Sequence, residues 1–437
     1  MIAKTIFNYY FKKRIKLLRN EINYYNSSIS KDLGEIENIQ VDKFNKVWNK
    51  SFENIPFYKE WKYKNSLPCE IKCVNDLDLF PILTKEEISN KRDLISKTPG
   101  IERNTLTGGT SGISTPFPMN FLDADTSWIN THIGRSWNSI EPRDKLFMIW
   151  GHSHLFQGRG AIFKHLKRKA ADHINKIFRV SAYDVSDENL DHIVSQILKV
   201  KPVYIIGYGS CMGYLADFIQ RKNISLRNVN VKRIVNTSET ISKKDAKILS
   251  NIFECPVINE YGMAETGVIG YSQNSLYPIR VFTNDFIVRI KAQRLIITTL
   301  GNKCFPLINY DTEDLSSDVP PKEGFLSSIK SLDGKARDVF EIKDIYSNLH
   351  KISVIILDHI FKQIGELRSL HFEIRSNHEL IISYNYSGNR PSKELLMKTL
   401  AQGLETQGIE IEESLISFKE IDSPLLTIAG KRQTLSR

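Results

Sequence analysis

Hydrophobic positions between about residues 180 and 260 alternate between helical spacing and short continuous apolar runs. Helices are predicted at about 190–198, 215–219 and 248–253. Buried strands are predicted at 203–207, 233–236 and 256–259. Ser186 and Ser242 stand where the first and third helices would begin, and serine is a favoured N-cap. Strands that alternate with helices favour an α/β layer of parallel strands, whose carboxyl ends open onto ligand-binding loops.

The pattern changes after residue 280, where short strands at 286–290 and 295–299 follow one another without helices, as in a barrel or a meander. A smaller α+β module follows Gly334. It has predicted strands at 370–374 and 380–384 and a predicted helix at 395–404. We therefore predict a large N-terminal domain, 1–335, with layered α/β sheets and a barrel-like part, and a small C-terminal domain, 336–437, joined by a short hinge.

Composition excludes some classes of function. The chain has 437 residues, 41% of them hydrophobic, and a net charge of +10. A basic chain could attract nucleic acid, anionic lipid or a phosphorylated substrate. Its basic residues are spread along the chain without a nucleic-acid-binding motif, so we expect no nucleic-acid partner.

Five cysteines, an odd and scattered set, fit a reducing compartment, and we expect a cytoplasmic protein. Cys69 and Cys73 lack the further ligands of a zinc site, so no structural zinc is expected. Charges interrupt the apolar residues of the N-terminus too often for a secretory or membrane-spanning segment. The basic amphipathic helix predicted there either packs on the body of the protein or touches a membrane surface.

The segment 105–116 is rich in hydroxyl and glycine residues and has scarcely any bulk. Glycine lets backbone N–H groups approach phosphate oxygens, and hydroxyls add hydrogen-bond donors. The glycines are Gly108, Gly109 and Gly112, and the hydroxyl residues include Thr107, Thr110, Ser111 and Thr115. The segment is not a Walker loop. Phosphate binding and a plain surface loop are both compatible with this composition.

A second segment, 259–267, directly follows a predicted strand and reads Asn-Glu-Tyr-Gly-Met-Ala-Glu-Thr-Gly. Glu265 could hold a magnesium ion that bridges ATP phosphates. Tyr261 offers a flat face for stacking against adenine. The same residues are equally compatible with a strand that ends in an ordinary glycine turn with a solvated glutamate.

Several motifs, taken in their order along the chain, resemble the phenylacetate-CoA ligase and capsule-biosynthesis CapK branch of the adenylate-forming enzymes. Similar segments start near residue 50 and extend to the end of the chain. They are Asn54-Ile-Pro-Phe-Tyr58, Phe80-Pro-Ile-Leu-Thr-Lys85, residues 107–111, Lys201-Pro202, Gly207-Tyr-Gly-Ser210, Asn236-Thr-Ser-Glu-Thr240 and Glu260-Tyr-Gly-Met-Ala-Glu265. The resemblance implies the adenylate-forming fold, with ATP and Mg²⁺ as cofactors.

The resemblance also implies residue roles. The hydroxyl loop would hold the triphosphate, with Thr110 among the catalytic residues, and Glu265 would bind magnesium. Further nucleotide contacts would come from Ser238, Glu239, Glu260, Tyr261, Gly262 and Arg337. Asp314 would bind the ribose hydroxyls, although the usual Thr-Gly-Asp is Thr-Glu-Asp here and Asp311 competes for the role. Asp338 would be the hinge, and Lys431 would be the lysine delivered to the adenylation site.

An acyl pocket is expected from two segments. His152 and His154 lie in Gly151-His-Ser-His-Leu-Phe-Gln-Gly158, the region where this branch places its acyl-pocket residues. Tyr208, Gly209 and Ser210 would line the same cavity, with Phe156. The histidines lack nearby Cys or Asp partners, so a polar wall is favoured over a metal site.

The expected reaction joins a carboxylic acid to AMP and then transfers the acyl group to an acceptor. Coenzyme A is one candidate acceptor, and a sugar amine or hydroxyl in polysaccharide assembly is the other. The family's hinge motif usually continues to a glycine, but here Lys343 is followed by Asp-Ile, which weakens the coenzyme A assignment. The alternative is a noncatalytic member that binds nucleotide or acyl intermediate.

Overall fold

The computed structural model describes most of the chain. The described residues are 2–27, 32–106, 116–150, 161–182, 187–301, 303–335, 339–361, 364, 366–386, 388–405, 409–423, 425 and 435–436. They form two compact units. The larger contains most of residues 1–332, and the smaller contains 313–315 together with 333–437. The domain limits expected from sequence stay a prediction.

The larger unit contains the first ten helices in chain order. They are α1 (Ile2–Ser27), α2 (Leu33–Asn54), α3 (Pro56–Lys64), α4 (Lys85–Asn90), α5 (Arg92–Ile95), α6 (Phe121–Ser136), α7 (Ala161–Asn175), α8 (Asp187–Val200), α9 (Gly209–Arg221) and α10 (Lys243–Phe253). Short 3₁₀ turns lie at Val74–Leu79 and Arg227–Val229. No described helix combines the length and the apolar composition that a membrane crossing requires.

An eight-stranded sheet runs through the larger unit. Its strands are β3 (Leu146–Trp150), β4 (Ile177–Ser181), β5 (Tyr204–Tyr208), β6 (Arg233–Thr237), β7 (Val257–Met263), β8 (Gly267–Ser272), β9 (Ile279–Val281) and β13 (Ser328–Ile329), after a separate hairpin of β1 (Arg103–Leu106) and β2 (Pro116–Met119). Their order is β13-β9-β8-β7-β6-β5-β3-β4, and the pairs from β4 to β7 are parallel. The expected layer of parallel strands is confirmed.

Alternating side chains of this sheet enter two different cores. Ile205 and Ile234 pack into the core that α8, α9 and α10 cover. Ile206 and Val235, one position further along the same strands, face the other core, which α2 and α3 help to cover. Both faces of the parallel strands are therefore buried, which explains why they read as continuous apolar runs.

The helices predicted from sequence begin and pack largely as expected. The Ser242 hydroxyl caps α10 by accepting the N–H of Asp245 at 3.0 Å. On α8, Leu190, Ile193, Val194 and Ile197 are buried, whereas Leu198 is 43% exposed. Ser186 lies outside the described residues.

The expected meander after residue 280 is also present. It is a three-stranded sheet in the order β10 (Phe286–Lys291), β11 (Arg294–Thr299) and β12 (Tyr310–Leu315). β10 and β11 form an antiparallel pair across a two-residue turn, Ala292-Gln293, in which both residues have positive φ.

The smaller unit packs two sheets and two helices around its own core. Its elements are β14 (Val339–Lys343), β15 (Leu349–Ser353), α11 (Val354–Phe361), β16 (Leu367–Ile374), β17 (Leu380–Tyr386), α12 (Lys393–Glu405), β18 (Ile416–Glu420) and β19 (Leu435–Ser436), with a 3₁₀ turn at Glu413–Leu415. The sheet order is β18-β17-β16-β19 beside the β14-β15 hairpin. The predicted α+β character of this region is confirmed.

Candidate active site

Three motif segments meet where β5, β6 and β7 end. The strand register pairs Tyr208 with Thr237 and Thr237 with Glu260, so these residues form one row across the sheet. After the row, Gly209-Ser210 begin helix α9, Ser238-Glu239 lie in the loop after β6, and Glu265 lies in the turn after β7. Segments far apart in the sequence thus lie side by side at the carboxyl edge, the usual ligand-binding edge of such a sheet.

Glu239 lies against the start of helix α9. The Ser210 amide donates to its carboxylate at 2.9 Å, and the Ser210 hydroxyl donates to the same oxygen. Burial and the charge of Glu239 raise the pKa of the Cys211 thiol to about 12. A side chain at Gly209 would place its Cβ 2.6 Å from the Thr240 carbonyl oxygen, so this approach of two backbones requires glycine.

Two buried amides hold the strand ends in place. Asn236 Nδ2 donates to the Glu239 carbonyl and to Asn259 Oδ1, both at 2.9 Å. Asn259 in turn donates its side chain to the Leu276 carbonyl at 2.8 Å. Ser238, which these contacts bracket, has a φ of +67°. The loop after β6 is thus fixed from within the protein, a role of the asparagines that sequence reasoning missed.

The Glu260 side chain turns into the protein and joins a buried polar network. Thr237 Oγ1 donates to one carboxylate oxygen at 3.2 Å, and the Tyr271 hydroxyl donates to the other. The Arg135 guanidinium lies 3.9 Å from that second oxygen and donates to the Tyr204 hydroxyl at 2.9 Å. We name the set Glu260, Arg135, Tyr204, Tyr271 and Thr237 the Glu260 network. Arg135 and both tyrosines were missed in the sequence.

The network is largely buried, since the side chains of Arg135 and Glu260 are each 12% exposed. Burial and the Glu260 charge raise the pKa of Tyr271 well above its ordinary value. Burial opposes the charge of Arg135, but Tyr204, Tyr271 and Glu260 together raise its pKa. The helix carrying Arg135 approaches closely because Gly134 has no side chain, and a Cβ there would lie 2.0 Å from the Tyr271 ring. The carboxylate of Glu260 therefore lies beside a permanent cation.

Tyr261 and Gly262 continue β7 into its hairpin with β8. Tyr261 is 8% exposed and packs in the core of the larger unit. A Cβ at Gly262 would lie 2.6 Å from the Gly267 carbonyl oxygen, so glycine is required for this pairing. Glu265 occupies the turn between the two strands and is 8% exposed. Adenine stacking by Tyr261 stays a prediction.

The two aspartates proposed for ribose have different partners. Asp311, 8% exposed, forms a two-point ion pair with Arg294, with distances of 2.6 and 3.1 Å. Asp314 lies in the smaller unit, where its carboxylate pairs with Lys335 at 2.6 Å. The ribose role of Asp314 stays a prediction.

Several expected site residues lie outside the described residues. They are Thr107, Gly108, Gly109, Thr110, Ser111, Gly112, Thr115, His152, His154, Phe156, Arg337, Asp338 and Lys431. Their roles in phosphate binding, acyl recognition, hinge motion and catalysis stay predictions.

Glu265 has the oxygen-donor chemistry that suits the magnesium ion of MgATP, and its role as a metal ligand stays a prediction. Within the described ranges, no three His, Cys, Asp or Glu side chains gather as a metal-ligand group. Magnesium rarely needs such a group, because it keeps water ligands and takes one or two carboxylates beside the phosphates of its nucleotide. Glu265, a hard oxygen donor at the carboxyl edge of the sheet, has the required chemistry.

Known proteins resemble this chain in sequence and in fold. Protein CapK of Staphylococcus aureus is 24% identical over 71% of this chain and 70% of its own length. The phenylacetate-coenzyme A ligase of Aromatoleum evansii is 22% identical over 85% of this chain and 88% of its own length. No family model matches the chain.

Among solved structures, a 2-hydroxyisobutyryl-CoA ligase in the postadenylation state, in complex with R3-HIB-AMP, has the same fold. It aligns with a TM-score of 0.70 and 14% identity, covering 93% of this chain and 90% of the ligase. The fold and the ordered sequence similarity agree. In sequence the chain is therefore similar to the phenylacetate-coenzyme A ligases and CapK, and in fold it is similar to an adenylate-forming ligase.

Proposed function

We propose that this chain activates a carboxylic acid with MgATP and then transfers the acyl group to an acceptor. In the first step a carboxylate oxygen bonds to the α-phosphorus, and the bond from that phosphorus to the bridging oxygen breaks. The products are an acyl-adenylate and pyrophosphate. The observation that carries the proposal is the row of Tyr208, Thr237 and Glu260, which brings three motif loops to one edge of the sheet.

The chain's own residues would divide the work of this step. Ser238, Glu239, Tyr261 and Gly262 would shape the nucleotide site, with the hydroxyl loop of 107–112 holding the phosphates. Magnesium, when bound, would neutralise charge on the phosphates, and Glu265 would hold it. Lys431 would supply a cation near both reactants, where negative charge builds up as pyrophosphate leaves.

A pyrophosphate-release assay over a panel of carboxylic acids tests the proposal. Lys431→Ala is expected to lower the rate strongly, and Arg432→Ala, its neighbour, is the matched control. ATP binding without turnover of any acid would support the alternative, a noncatalytic binding member. Equal rates in the two variants would remove the role of Lys431.

The acceptor is proposed to be either coenzyme A or an amine or hydroxyl of a sugar. Two of the similar proteins carry coenzyme A in their names, and a third is CapK. Mass spectrometry of products formed from cell extract, ATP and the purified protein would identify acid and acceptor together. A thioester product would exclude the sugar acceptor as the main one.

Contact with a membrane surface and a place in the cytoplasm also stay proposals. Lys12, Lys16 and Arg19 recur at helical spacing along α1, and all three are exposed. Such a basic face suits anionic lipid. Vesicles of phosphatidylserine should co-sediment the protein more than neutral vesicles do, and equal sedimentation would exclude an electrostatic contact.

A further inference from the structure

The ammonium group of Lys303 is buried beside the turn between β7 and β8 that carries Glu265. Its side chain is 6% exposed, and its ammonium lies 3.9 Å from the Asp123 carboxylate, which is 3% exposed. Burial lowers the pKa of Lys303, and the charges of Asp123 and Asp285 oppose that shift. A buried ammonium is costly unless it has partners, so this position requires an explanation.

The strongest described contact of Lys303 is with the Glu265 turn. The ammonium donates to the carbonyl of Thr266 at 3.0 Å, and Thr266 is 1% exposed. The turn is closed further by the Thr266 amide, which donates to the Met263 carbonyl at 3.3 Å. A charge-assisted bond thus fixes the backbone one residue after Glu265.

Neutralising the charges of Asp123 and Asp285 does not by itself explain why the ammonium of Lys303 is buried here. Asp123 already accepts the amides of Asn120 and Cys304. Asp285 has a second cation near it, Lys43. The charge of Lys43 lowers the pKa of Asp285 more than the charge of Lys303 does. Lys43 donates to the carbonyl of Asn284 at 3.0 Å. Lys43 therefore provides a matched comparison, a cation of the same cluster bound to a different segment.

We propose that Lys303 is a positioning residue, which holds the turn after β7 so that Glu265 faces the magnesium ion of bound MgATP. The proposal rests on the proposed function and extends it to a residue without a role in the family motifs quoted above. Lys303 acts through the Thr266 carbonyl. Its loss should loosen the turn and weaken the magnesium-dependent part of nucleotide binding.

Two measurements on Lys303→Met and Lys43→Met test this. The first is hydrogen–deuterium exchange of residues 263–268, which we expect to accelerate in Lys303→Met and to stay unchanged in Lys43→Met. The second is ATP binding by calorimetry, with Mg²⁺ and with EDTA. Adding Mg²⁺ should raise the ATP affinity of Lys303→Met by a factor about tenfold smaller than it does for the unaltered protein. Tenfold is the lower end of the effect for a residue that orients a metal ligand. Binding in EDTA should be unchanged.

Lys303→Arg covers the case in which Lys303→Met does not fold. It keeps a positive charge beside Asp123 but alters the donor geometry at the Thr266 carbonyl, so the same changes are expected at smaller size. Equal exchange rates and equal Mg²⁺ gains in the Lys303 and Lys43 variants would overturn the proposal. If the unaltered protein binds ATP equally with and without Mg²⁺, the metal role of Glu265 fails, while faster exchange would still show that Lys303 holds the turn.

Discussion

Two glutamates of one motif, five positions apart, are both largely buried but lie in different local structures. Glu260 lies in the body of β7, and its carboxylate is bound by Thr237, Tyr271 and the Arg135 cation. Glu265 lies beyond the strand, in a turn that Lys303 contacts through the neighbouring Thr266 carbonyl. The contacts of Glu260 commit it to the fold, whereas Glu265 is the residue proposed to hold magnesium. A motif match alone does not distinguish these two environments.

The largest effect is expected from Arg135→Met. Removing the cation leaves the largely buried Glu260 charge without its ion-pair partner, which should lower the free energy of unfolding by about 3 kcal/mol. Urea denaturation measures this. The double variant Arg135→Met, Glu260→Gln should recover part of the loss, because both charges are then gone. A double variant no more stable than Arg135→Met would break the comparison.

Glu265→Gln should act more strongly on chemistry than on stability. We expect pyrophosphate formation to fall by about 10- to 100-fold, the range for lost metal-site interactions, with a smaller loss of unfolding free energy than in Arg135→Met. Glu254→Gln is the control, since Glu254 forms an exposed ion pair with Arg227 and should change neither quantity. A large loss of stability in Glu265→Gln would show that Glu265, like Glu260, mainly stabilises the fold.

Gly262→Ala probes the backbone between the two glutamates. The added Cβ would lie 2.6 Å from the Gly267 carbonyl oxygen, and overpacking of this kind costs about 1–3 kcal/mol. Thermal denaturation should show the lower stability. Gly301→Ala serves as control because its Cβ would meet Asp285 at an ordinary 3.8 Å. Equal melting temperatures would mean that the hairpin can open here.

Tyr271→Phe should give the smallest change. The variant loses one hydrogen bond to Glu260, worth about 1 kcal/mol, while Thr237 and Arg135 remain. Urea denaturation should place it well above Arg135→Met in stability. A larger loss than that of Arg135→Met would show that the hydroxyl, and not the cation, secures Glu260.

Local signals in the sequence were enough for much of the fold. Ser242 was predicted to cap α10 because a cap is a contact between residues three apart. The strand around 256–259 was also found, but it extends to Met263 in the structure. The extension depends on antiparallel pairing with β8, and short-range periodicity does not contain that information.

The candidate site was only partly predictable for a related reason. Motif positions such as Ser210 and Glu239 were identified, but their hydrogen bond was not, because it joins the start of α9 to the loop after β6. Arg135 and Lys303 belong to no motif. Their partners lie more than a hundred residues away or beneath the surface, so only the assembled core reveals them.

The contact between Glu239 and helix α9 has a consequence for the acid substrate. The first amides of a helix attract anions, and here a carboxylate of the protein already occupies that position. A substrate carboxylate that approached the start of α9 would have to compete with Glu239 and would meet its repulsion. On the proposed function, the carboxylate of the acid would therefore bind elsewhere along the edge.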